Sequence, residues 1–146
     1  MGQLVIIIDS LYIDISTIGL IIYWIWKPKH SVFMFGLFFF YIIRSFTIKI
    51  GQWPTIDFMI FKNIPFPSIM ISYEETNDFY FSGHTGLCFV LFLEHYHRKN
   101  LAIWVVSLFF FFYTVFMLIY TGAHYTNDVI IGFICSISFY FIAKKF

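Results

Sequence analysis

From Leu101 to Tyr120 the chain reads LAIWVVSLFFFFYTVFMLIY, without a single charged residue. A helix rising 1.5 Å per residue over that run is about 30 Å long, the hydrocarbon thickness of a bilayer. Four more stretches are predominantly apolar with few charges, which gives five candidate helices at roughly 4–26, 31–50, 79–94, 101–120 and 123–143. The third is short for a span and needs an earlier start or a locally thinned bilayer. Only 12% of residues are charged and 60% are hydrophobic, against about 25% charged in an average soluble domain. The expectation is an all-α, polytopic transmembrane bundle of about five spans, one membrane domain over residues 1–146.

The breaks between runs orient this bundle. Lys27 and Lys29, Arg98 and Lys99, and Lys144 and Lys145 fall on alternate connections and at the C-terminus, so five helices place all three sites on one side. The positive-inside rule makes that side cytoplasmic. The N-terminus, the 51–78 connection and the TGAH turn at 121–124 then face the lumen or exterior. The 51–78 segment holds three of the four prolines and has an apolar middle. It reads as an interfacial stretch or as a re-entrant, half-length sixth element over a site.

Several classes are excluded. A formal net charge of +1, with no basic cluster among solvent-facing aromatics, offers no nucleic-acid surface. Cys88 and Cys135 lie inside apolar runs without CxxC spacing and read as small hydrophobes. No Lys or Arg precedes Lys27, so residues 4–26 read as a retained first span. Trp24, Trp26, Trp53 and Trp104 fall near the expected interfaces, as an aromatic belt does. His95 and His97, beside Arg98 and Lys99, read as solvated head-group contacts with Glu94 pairing at that edge. Asp9 and Asp14, five residues apart in the first span, do not share a helix face, and no role is assigned to them.

Chemistry gathers at the other set of helix ends. In HYTND, His124 and Asp128 are four residues apart, which on a helix stacks both side chains on one face. A carboxylate accepting from one imidazole nitrogen fixes the tautomer and makes the other nitrogen a better base or nucleophile; a plain helix-end pair is the bland alternative. In SGHT, Ser82 and Gly83 precede His84 at a helix start, where backbone N–H groups favour an anion and glycine permits close approach. An anion cradle, a second histidine and an oriented nucleophile at one membrane depth point to phosphoryl transfer. A 2-His-1-carboxylate iron site is the metal reading of the same three residues; it is set aside, because membrane iron oxidases bring many more histidines.

FYFSGHTG and GAHYTNDVIIG together resemble the two C-terminal motifs of the type 2 phosphatidic acid phosphatase superfamily. More narrowly they resemble its sphingomyelin synthase-like branch, which carries SGHT and HYTxDV. IIRSFTIKIGQWP, residues 42–54, is similar to that branch's upstream pattern, so the likeness spans residues 42–143. The resemblance implies that His124 attacks phosphorus, Asp128 orients it and His84 protonates the leaving alcohol, with no metal and no cofactor. The broader superfamily has a Ser-Arg pair where this chain has Met117 and Leu118. A phosphate-binding arginine must therefore come from elsewhere, and Arg44 is the candidate, with Lys49 behind it and Ser82 and Gly83 supplying backbone donors. The function implied is transfer of a phospholipid head group to ceramide, diacylglycerol or a similar lipid alcohol. Two alternatives stay open: a lipid phosphate phosphatase, and a small membrane protein without catalysis.

Overall fold

The computed structural model describes residues 2–26, 32–50, 68–69, 81–99 and 101–145. They form five helices: α1 (Gly2–Trp26), α2 (Val32–Ile50), α3 (Gly83–His97), α4 (Leu101–Tyr120) and α5 (Thr126–Ala143). Each lies on one of the five apolar segments, and no strand occurs among the described residues. The chain is an all-α membrane bundle. The helices over Ile6–Trp26, Leu101–Tyr120 and Thr126–Ala143 are long and apolar enough to cross a bilayer, whereas α2 is apolar only over Val32–Thr47. Trp53, Lys27 and Lys29 lie outside the described residues.

Helix α3 explains how a short segment belongs in this bundle. Its 15 residues rise only about 22 Å, less than the hydrocarbon layer. Consecutive residues Thr85 to Leu91 are buried, so every face of the helix is covered, and α1, α2, α4 and α5 all pack against it. Protein rather than lipid surrounds α3. Lipid meets the outer faces of its neighbours, where Phe109, Phe112 and Phe116 of α4 and Ile134 and Phe141 of α5 are exposed.

Contacts between helix ends set the directions. Ile6, early in α1, packs with Met117 and Leu118, late in α4, and with Ala123 and Val129. At the opposite end the Arg98 guanidinium lies 4.1 Å from the centre of the Tyr23 ring. One end of the bundle therefore gathers the N-termini of α3 and α5, and the other carries Arg98, Lys99, Lys144 and Lys145. Glu94 is buried at that second end and pairs with Arg98 at 2.6 Å rather than with the histidines.

The two acids of α1 have separate partners, as their different faces require. Asp9 accepts a hydrogen bond from the Thr114 hydroxyl, whose oxygen also lies 3.3 Å from the Cys88 sulfur; the three groups tie α1, α4 and α3 together. Asp14 accepts from the Ser68 hydroxyl at 2.9 Å and from the Ile69 N–H at 3.0 Å. That pair of residues from the long connection thus reaches halfway along α1. The rest of the segment in which a sixth element was expected lies outside the described residues.

Two helix starts differ from expectation, both for local reasons. α3 begins at Gly83 instead of 79 because the Ser82 oxygen caps it, accepting from the Thr85 N–H at 3.3 Å and the Thr85 hydroxyl at 3.0 Å. α5 begins at Thr126 instead of 123 because α4 closes with a Schellman turn. Gly122 adopts φ 66°, the Ala123 N–H reaches Leu118 O at 2.9 Å and the Gly122 N–H reaches Ile119 O at 3.3 Å. That left-handed position is where glycine is favoured.

Candidate active site

The Schellman turn delivers His124 to the edge of the bundle before α5 has begun. His124 and Asp128 do meet, but not as a stacked pair on one helical face. Asp128 is the third residue of α5 and reaches back across the N-terminus. Its Oδ2 accepts the Tyr125 N–H at 3.0 Å and stands 3.4 Å from His124 Nδ1. The backbone bond fixes the carboxylate, and the positive end of the helix dipole favours its charge. The carboxylate faces the histidine at Nδ1, which leaves Nε2 on the far side of the ring. Both side chains are buried.

His84, in the first turn of α3, brings its ring to 5.7 Å from that of His124, centroid to centroid, with the planes inclined at 68°. The approach depends on small groups between α3 and α5. The Ser82 N–H donates to the Asp128 carbonyl at 3.1 Å. A Cβ at Gly132 would stand 2.6 Å from the Ser82 carbonyl oxygen, so only glycine admits this contact. One turn further on, the Ser136 hydroxyl donates to Gly86 O at 3.0 Å. Asp128, Gly132 and Ser136 thus form an i, i+4 stripe on α5 that seats residues 82–86.

α2 closes the third side. A Cβ at Gly83 would lie 2.9 Å from Arg44 Nε and 3.2 Å from Cζ, so the guanidinium lies across the N-terminus of α3. One turn earlier, Phe40 covers Gly86, where a Cβ would be 2.0 Å from its ring. Arg44, Gly83, His84, His124 and Asp128 therefore converge at one end of the bundle, with the helix N-termini supplying positive potential for an anion.

The other two expected phosphate ligands, Lys49 and Ser82, are placed differently from Arg44 and Gly83. Lys49 is exposed in the last turn of α2, about 7 Å further along the axis than Arg44 and five residues round the helix. Ser82 is engaged within the protein by both its N–H and its side-chain oxygen, which makes it the joint between α3 and α5. Sequence reasoning missed Gly132, Ser136, Gly86 and Phe40. The Asp-x3-Gly-x3-Ser spacing from 128 to 136 is the signal that could have found Gly132 and Ser136. Met117 and Leu118 are completely buried and pack with Ile6, Ala123 and Val129. Among the described residues, no three His, Cys, Asp or Glu side chains are grouped as metal ligands.

Residues 75–145 match the family model described as PAP2 superfamily C-terminal. The matched region contains His84, His124 and Asp128 and leaves out Arg44. No curated protein and no solved structure shows significant similarity to the chain. The family match supports the PAP2 superfamily and, with it, lipid phosphatase- or phosphotransferase-type chemistry in a membrane protein.

Proposed function

We propose that the protein is a lipid phosphotransferase, moving a phospholipid head group to ceramide, diacylglycerol or a similar lipid alcohol, as in the sphingomyelin synthase-like branch. The observation that carries this reading is the convergence of His124, with Asp128 beside it, on His84 and Arg44 at the one bundle end. His124 Nε2 attacks the phosphodiester phosphorus of the donor, and the bond to the diacylglycerol oxygen breaks as His84 gives that oxygen its proton. The products of this half are diacylglycerol and a head group carried on His124. His84, now neutral, takes the proton of the acceptor hydroxyl, whose oxygen attacks phosphorus and releases His124. Arg44 and the Gly83 backbone stabilise negative charge on the phosphoryl oxygens.

The basic residues at the opposite end of the bundle favour a lumenal or exoplasmic site by the positive-inside rule. Membranes containing the wild type, His84→Ala or His124→Ala, given fluorescent ceramide and unlabelled phospholipid, test the proposal. The expected result is a head-group-bearing fluorescent product made by the wild type and lost in both variants. Release of phosphate from phosphatidic acid without transfer would assign the protein to the phosphatases. Full transfer by His124→Ala would remove the mechanism.

A further inference from the structure

At the end of the bundle away from His84 and His124 lies a cavity of about 690 Å³, within the usual range for small-molecule sites. Its two halves differ in chemistry. Ile15, Gly19 and Leu20 of α1 and Ile103 of α4 make an apolar side. His95, His97 and Arg98, from the end of α3, make a polar side. The carboxylate that also lines it is already compensated: Glu94 receives Arg98 Nε at 2.7 Å and the Tyr140 hydroxyl at 3.4 Å. Arg98 stacks on Tyr23, another lining residue, which holds the guanidinium in place. Only two of its nitrogens face Glu94, although the group carries five N–H donors. Lys99, Lys144 and Lys145 are exposed at this same end, so the surrounding field attracts anions.

We propose that this cavity binds an anionic glycerophospholipid of the leaflet on that side. The phosphate would sit among His95, His97 and Arg98, and an acyl chain would lie along Ile15, Gly19 and Leu20. Basic pockets between membrane helices are suited to such head groups. His84 and His95 are eleven residues apart on α3, about 16 Å along the axis, so the site is separate from the candidate active site and does not rest on the transfer reaction. A soluble phosphate ester shares the head-group chemistry, but the apolar half of the cavity commits the occupant to a lipid.

The test is photo-crosslinking in nanodiscs. Phosphatidylserine carrying a photoreactive acyl chain is added to phosphatidylcholine discs holding the full chain, and the crosslinked peptides are mapped. Labelling is expected within residues 15–23 and 95–103, exceeding that by matched phosphatidylcholine by about fivefold, the equivalent of one basic contact near 1 kcal/mol. Gly19→Leu adds bulk to the acyl side at a position where nothing lies within 4 Å of a Cβ, and should abolish the label. A His95→Ala/His97→Ala double variant should remove the preference for phosphatidylserine while leaving the Glu94–Arg98 pair intact. Labelling that survives Gly19→Leu, a phosphatidylserine preference that survives the histidine variant, or label mapping only around residues 81–84 and 121–128 would overturn the proposal. Displacement of the lipid by soluble glycerol phosphate would overturn its assignment to a lipid.

Discussion

Substituting Gly132 by alanine adds one methyl group, and that methyl would stand 2.6 Å from the carbonyl oxygen of Ser82. This is roughly 0.8 Å inside ordinary contact distance. The obstructing atom belongs to the backbone, so no side-chain rotation relieves it. α3 and α5 must separate at the point where the Ser82 N–H meets the Asp128 carbonyl. Alanine stabilises a helix by about 0.5–1 kcal/mol relative to glycine, while overpacking costs about 1–3 kcal/mol. Net stability therefore falls by no more than about 2.5 kcal/mol and the bundle survives. The site does not, because a shift approaching 1 Å between reacting groups can cost about 100-fold in rate. Head-group transfer in membranes, normalised to the amount of protein, should fall about 10- to 100-fold. Gly36→Ala is the control, since its Cβ would lie 3.9 Å from Val90 and full activity is expected. Wild-type transfer by Gly132→Ala, with Gly36→Ala also unaffected, would refute the claim that this contact sets the distance between the histidines.

Three other outcomes are expected. Asp128→Asn retains an oxygen for the Tyr125 N–H but loses the charge that supports His124, so transfer should fall by up to about 10⁴-fold, as for an equivalent change in a catalytic triad, with the thermal midpoint near wild type; equal activity would show that Asp128 serves only the helix start. Arg44→Lys keeps the charge but not the planar fork across Gly83, so it should weaken donor binding, and Arg44→Ala should weaken it further, as measured by KM for the phospholipid. Thr114→Val removes the hydroxyl that donates to buried Asp9 and should destabilise the protein by about 1–3 kcal/mol; adding Asp9→Leu should recover most of that loss in a double-mutant cycle, and failure to recover would show that the two residues act independently.

The five helices were legible because charge exclusion from apolar runs is a strong signal in a membrane protein. Their ends were less so. Gly122 and Tyr125 decide where α5 starts, and hydropathy alone does not distinguish a Schellman turn from the helix that follows it. The same blindness turned the His124–Asp128 contact into a stacked helical pair, whereas it is a helix-start carboxylate reaching back. Arg44 stood out as a cation within an apolar run; Lys49, also a cation, does not join it because five residues rotate it off that face. Gly86, Gly132, Ser136 and Phe40 escaped because α2, α3 and α5 are apolar on nearly all sides, so periodicity does not mark the packed face. The Asp9–Thr114 and Asp14–Ser68 bonds join positions distant in sequence, and no local pattern pairs them.

The central claim, that His124 carries the head group between two lipids, is tested most directly by trapping that species. Membranes are incubated briefly with a phospholipid isotopically labelled in its head group, without acceptor, then quenched and digested for mass spectrometry. The account predicts labelled head group bound to residue 124 in the wild type, none in His124→Ala, and discharge of the label on adding ceramide. Ongoing transfer with no label on His124, or with label on another residue, would contradict it.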